Sequence, residues 1–139
     1  MKFTQYIGIG LIALLLMGCQ TVKPEKRVKP KPVPVQLMNS ELSALFVNHT
    51  VESYNLKNKV TSLTYYAPDG QAIQQRDQTN RLGSWKIVNN EVCLSMEDKP
   101  YSCRPVYKVG KRYYKYKARK NGSMKKIIRY RSFEAGKTF

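Results

Sequence analysis

Lys115, Lys117 and Arg119 fall at every second position of one stretch, and Arg129 and Arg131 repeat the spacing ten residues on. At the two-residue period of a β-strand such residues share a face. A face of fixed cations is suited to holding a polyanion. Other chemistry finds little material. His49 is the sole histidine, and no second titratable group stands at a spacing that would act with it. Nothing in the pattern forces Asp69 and Asp77 together. The chain has no phosphate-cradling glycine loop. Two cysteines with one distant histidine lack the ligand count and spacing of a zinc site. The sequence therefore predicts a binding protein rather than an enzyme, with no catalytic residue, metal or cofactor.

The formal charge is +16 and very uneven. Residues 37–98 hold five basic and seven acidic residues, whereas residues 99–139 hold fourteen basic residues and Glu134 alone. Like charges on neighbouring strands repel and cost stability. Their segregation implies an anionic partner, with general solubility or protection of a sheet edge as the alternative.

The elements that must position these cations are short. Leu42, Leu45 and Phe46 fall at helical spacing and predict a helix over 39–47, with Ser40 able to cap it. From Thr50 onward, runs rich in Val, Ile, Thr and Tyr predict strands near 50–56, 59–67, 71–76, 83–88, 91–96, 101–107, 112–119 and 125–133. Pro68-Asp69-Gly70, Asn89-Asn90, Gly110 and Asn121-Gly122 supply turns. Strands so closely spaced pair antiparallel. The expected fold is mainly β: a small antiparallel meander forming a barrel or half-barrel, with one short N-terminal helix. Gly70 suits a positive φ, and Trp85 reads as a core anchor whose indole N–H needs a buried partner. In the last hairpin, alternation assigns Tyr114, Tyr116, Ile128 and Tyr130 to the inside and all five cations to one exposed face, leaving Tyr113 outside. Pairing Tyr116 with Ile128 and Tyr114 with Tyr130 then requires a loop of odd length around Asn121-Gly122-Ser123.

The first residues carry a different signal. Met1-Lys2 is a positive start and Ile7 to Met17 an apolar run, long enough for a signal peptide and too short to span a bilayer. Leu16-Met17-Gly18-Cys19 resembles the lipobox of bacterial lipoproteins. That resemblance implies removal of residues 1–18 and lipidation of Cys19 with palmitate-type chains. It also implies a lipid-anchored envelope protein; Gln20, not Asp, implies the outer membrane, facing the periplasm. Residues 19–36 form the lipidated cysteine and a Pro/Lys-rich tether, with prolines at 24, 30, 32 and 34. At about 3.1 Å per residue it could reach on the order of 50 Å. Residues 37–139 form the β-domain. With Cys19 lipidated, Cys93 and Cys103 remain as an even pair in an exported domain, which reads as a disulfide.

A second resemblance rests on an ordered set of motifs. Leu45-Phe46-x-Asn48-x-Thr50-Val51 is followed by Tyr65-Tyr66-x-x-Asp69-Gly70, Gly83-x-Trp85-x-Ile87, Val92-Cys93 and Cys103. Over residues 42–110 this order resembles an uncharacterised family of small secreted proteobacterial β-domains with a cysteine pair. It implies an exported, disulfide-linked β-domain and no activity.

The expected function is a non-catalytic lipoprotein. It is held on the membrane by its lipid, and its basic β-domain binds an anionic lipid, lipopolysaccharide, the cell wall or an acidic envelope protein. Two alternatives are a barrel holding a small apolar ligand and a surface for single-stranded nucleic acid. The second is disfavoured by the inward tyrosines.

Overall fold

The computed structural model describes residues 18, 19 and 21–139. The signal peptide expected over 1–18 lies outside the described residues, Gly18 apart, and so does Gln20. Cys19 is exposed with a free thiol. Thr21 to Pro34 form no helix or strand and are exposed throughout, as four prolines among charged residues dictate.

The fold begins slightly earlier than residue 37. Val35–Gln36 (β1) add to one edge of the strand Ser102–Val109 (β7), and Leu37 N–H donates to the Val106 carbonyl at 2.9 Å. Two residues give too little pattern to be legible, but that edge of β7 would otherwise leave backbone groups unpaired.

Eight strands make a closed antiparallel barrel: His49–Asn55 (β2), Thr61–Tyr66 (β3), Gln71–Arg76 (β4), Thr79–Val88 (β5), Glu91–Met96 (β6), β7, Arg112–Ala118 (β8) and Met124–Ala135 (β9). Each pairs with its successor, and β9 returns to β2 to close the ring. Tight turns permit this. Asp77-Gln78 and Asn89-Asn90 each hold two successive residues at positive φ, the backbone whose twist matches flanking strands. Gly70 has φ 90°, and the Asp69 carboxylate accepts from Gln71 N–H at 2.9 Å. The Asp77-Gln78 turn lets β5 start four residues before the expected position 83.

One end of the barrel is plugged. The helix Asn39–Phe46 (α1) inserts its fully buried Leu42 and Phe46 among Val51, Tyr66, Trp85, Val92, Val106 and Tyr130. The Phe46 ring meets Tyr66, Tyr130 and Phe133 edge-on at centroid distances of 5.0, 5.4 and 5.5 Å. Ser40 is not the cap. The helix starts at Asn39 as expected, which puts Met38 at the cap position, and the Glu41 carboxylate accepts from Met38 N–H at 2.9 Å. Asn39 and Asn90 exchange reciprocal backbone-to-side-chain bonds, each 2.8 Å, tying the helix start to the β5–β6 turn. The Trp85 indole donates to the Ala67 carbonyl at 2.8 Å.

Cys93 and Cys103 lie directly opposite each other on β6 and β7 and form the disulfide. Cross-linking this hairpin contributes about 2–4 kcal/mol. On the other side of β6, β5 approaches closely at Gly83, where a Cβ would run into the Ser95 carbonyl oxygen and lie 2.7 Å from Met96 Sδ.

Candidate functional site

The last hairpin carries the chemistry, and its register differs from the one alternation suggests. Tyr116 faces Lys126 and Tyr114 faces Arg129; Lys115 faces Ile128 and Tyr113 faces Tyr130. The odd loop is present, as Arg119–Ser123, closed by Arg119 N–H to the Ser123 carbonyl at 2.7 Å. Two bulges on β9 shift the pairing: Ile127 is skipped opposite β8 and Arg131 opposite β2. Each extra residue resets the inside–outside alternation beyond it.

The facing of β8 is therefore the reverse of the expected one. Tyr113 packs on the Phe133 ring at 5.4 Å, and Lys115 lines the barrel interior. Tyr114 and Tyr116 sit on the outer wall. The Tyr116 ring packs tilted against Tyr107 at 4.6 Å, and the Lys126 ammonium lies 4.3 Å from the Tyr114 ring centre. Both rings are still mostly covered, 9% and 6% exposed, so they offer little surface on which a base could stack.

The five cations consequently do not share one face. Lys115 is inside. Arg129 lies on the outer wall between Tyr54 and Tyr114. Arg131, on its bulge, pairs with Glu52 at 3.2 Å and covers the Tyr54 ring at 4.2 Å, which staples β9 to β2. Lys117 and Arg119 do come together, with partners that the strand pattern alone does not reveal. Lys57, Lys117, Arg119, Lys120 and Lys125 line a groove of about 430 Å³ at the unplugged end, over a floor of Ala118 and Ile127. Lys57 reaches it because closure sets the β2–β3 turn beside β9, with Leu56 N–H donating to the Ile127 carbonyl at 3.0 Å. Assuming that a meander closes on itself would have placed Lys57 there from sequence.

Among the described residues no carboxylate lines this groove. Among the described residues the ion pairs are Arg81–Glu97, Lys99–Glu97 and Arg131–Glu52, all outside it. Lys117 and Lys125 stand directly opposite each other across the two strands, an arrangement that costs stability. A second recess of about 650 Å³ continues along the outer wall, where Arg119, Lys125 and Lys126 join Pro34, Tyr107, Tyr116 and Met124. His49 belongs to neither; its Nδ1 lies 2.7 Å from the Val47 carbonyl and donates to it at the end of α1.

Lys115 is electrostatically unlike the others. It is half-buried, and burial, with the nearby Arg104 charge adding to it, pushes its pKa down from 10.5 to about 8. Below pH 8 folded and unfolded chains both hold the proton, and the penalty is full. Between pH 8 and 10.5 the unfolded chain binds more protons, so stability rises with pH. Around it in the same cavity lie Arg76 on β4, Tyr66 on β3 and Tyr130 on β9, with Arg104 on β7 close enough to act on its charge. Burial raises the Tyr66 and Tyr130 phenols above their usual range, which keeps both neutral in this window. Lys115→Met should add about 1–2 kcal/mol at pH 7, discounted for partial exposure. It should also flatten the rise between pH 8 and 10.5 in urea unfolding curves. An unchanged profile would mean that Lys115 is fully hydrated.

No family model, curated protein or solved structure matches the chain.

Proposed function

We propose that this chain is a non-catalytic lipoprotein of the bacterial envelope, anchored through lipidated Cys19, whose barrel binds an anionic envelope surface through the groove of Lys57, Lys117, Arg119, Lys120 and Lys125. The observation that carries the reading is the direct opposition of Lys117 and Lys125 in a groove with no carboxylate. A surface needing only solubility gains nothing from setting like charges face to face, whereas a polyanion relieves both at once. Each such cation near an anionic surface adds about 1 kcal/mol at low salt, and salt screens the attraction over a Debye length of about 8–10 Å. The tether suits a domain that must reach a surface while held at a lipid anchor. The outer membrane, facing the periplasm, is the location this reading carries.

The alternatives have less support. The half of the barrel interior not filled by the core leaves a cavity of only about 80 Å³ lined largely by polar side chains, which suits a small apolar ligand poorly, and the covered tyrosines weaken a nucleic-acid role.

The test is co-sedimentation of the whole chain with anionic vesicles, lipopolysaccharide, purified cell wall and DNA at low and high salt. Reversing Lys117, Lys120 and Lys125 to Glu together should weaken binding to an envelope component on the order of 100-fold at low salt. In the same preparation, Cys19→Ala should leave the membrane fraction for the soluble one. Binding that survives charge reversal would overturn the groove; binding to DNA alone would favour the nucleic-acid reading.

A further inference from the structure

The interior of the barrel is divided along its axis. The half beneath α1 is filled with aromatic and aliphatic side chains. The other half encloses a cavity of about 80 Å³ lined by Ser53, Asn55, Ser62, Thr64, Gln74, Arg76, Lys115 and Tyr130, with Tyr66, Val60, Leu94 and Ile128 completing the wall. An eight-stranded barrel has room inside for its own side chains or one small ligand. A volume of this size holds a few waters, at about 30 Å³ each, or one small polyatomic ion.

Its charge is of a single sign. Two of the lining residues are cationic, and none is Asp or Glu. Glu97, the carboxylate that approaches interior Arg81, is shared between Arg81 at 3.6 Å and Lys99 at 3.9 Å. Arg104 adds a further positive charge close enough to act on Lys115.

Its donors are also incompletely used. Arg76 Nε and the Tyr130 hydroxyl are buried with no hydrogen-bond partner, and Tyr130 is only 4% exposed. A buried donor left unpaired in this way costs stability. Gln74 is spoken for: it donates to Thr64 Oγ1 at 3.2 Å and accepts from Arg81. Nearby lie the hydroxyls of Ser53, Ser62 and Thr64.

We propose that the polar half of the barrel is a binding site for one small oxyanion of phosphate, sulfate or carboxylate type, held between the Arg76 guanidinium, the Lys115 ammonium and the Tyr130 hydroxyl. Such an ion accepts from both orphaned donors and sets negative charge between two cations that no lining carboxylate offsets. Burial keeps the Tyr130 phenol protonated well above its ordinary range, so it serves as a donor across physiological pH. The bound anion opposes the effect of burial on Lys115 and favours its ammonium form. This site is separate from the groove: its ligand is one small ion rather than a polymer surface.

The test titrates inorganic phosphate, sulfate and acetate into the whole chain, purified in mild detergent, and follows backbone amide signals by NMR. Saturable shifts are expected at Ser62, Thr64, Lys115 and Ile128 with at least one anion, with half-saturation at about 1 mM or below. Lys115→Met should weaken binding at least tenfold, and Tyr130→Phe, which keeps the ring and loses only the hydroxyl, several-fold. The three anions separate a tetrahedral from a carboxylate preference. Shifts confined to Lys57, Lys117, Lys120 and Lys125 would overturn the interior site, as would no saturable shift up to about 20 mM, weaker than the range of specific recognition. Undiminished binding by both variants would overturn the assigned residues.

Discussion

Phe46→Ala should cost about 3–5 kcal/mol, a large share of the roughly 5–15 kcal/mol available to a small domain. The ring is fully buried and is the hub of three edge-on aromatic contacts, to Tyr66, Tyr130 and Phe133. Those partners come from β3 and β9, so they cannot collapse together onto the vacated volume without breaking the ladders that hold them. The helix is also too short to persist without its buried face, since an isolated helix of eight residues is marginal in water. Removing the hub therefore releases the helix as well as one ring. Thermal unfolding should show a midpoint lowered by about 15–25 °C. Val47→Ala, one residue on and 37% exposed, should change stability by less than about 0.5 kcal/mol. A Phe46→Ala cost below about 1 kcal/mol would show that α1 does not seal the barrel.

Gly83→Ala should cost about 3 kcal/mol, although replacing glycine by alanine usually stabilises by about 0.4–1 kcal/mol through the unfolded chain. The obstruction decides the sign. The atom that a new Cβ meets first is the backbone carbonyl oxygen of Ser95, with Met96 Sδ at 2.7 Å beyond it. A flexible side chain could swing aside. A carbonyl cannot, because moving it pulls β6 out of register with β5, where Gly83 and Met96 are direct partners. Overpacking of this kind typically costs about 1–3 kcal/mol, and loss of ladder bonds adds to it. Leu82→Ala, on the same strand and 70% exposed, should be close to neutral. If both substitutions are neutral by urea denaturation, β5 and β6 do not approach as closely as described.

The sequence carried the element list well and the facing of the final hairpin badly, for related reasons. Strands and turns are set by local chemistry: β-branched and aromatic runs, and residues that tolerate left-handed backbone. Asp77-Gln78 is an exception, a two-residue turn without the glycine or asparagine that usually marks one, so the start of β5 falls earlier than the pattern suggests. The cysteine pair was legible because the two runs flanking it pair across a short loop. Inside and outside on β8 were not, because Tyr113 and Tyr114 are equally apolar, and alternation then assigned Lys115 to solvent on hydration grounds. The fold overrides that preference, because a polar interior wall half receives the ammonium. The bulges at Ile127 and Arg131 are equally invisible locally, since each exists only relative to its partner strand. Lys57 was missed because its neighbours are some 60 residues or more away in the chain.

The closing ladder joins residues 49–55 to residues 128–135, and it sets the order of events as the chain folds. Until β9 is available, β2 presents an unpaired edge, the helix plug lacks Tyr130 and Phe133, and the half-made sheet is open along its length. Long-range closure of this kind makes folding slow, and an open edge invites pairing with another chain. β9 is thus a latch, and the bonds from Gly136 N–H to the Asn48 carbonyl and from Thr138 N–H to Thr50 Oγ1 draw it shut beyond the last strand pair. A chain cut before residue 124 would have every earlier strand and still be an aggregation hazard rather than a smaller barrel.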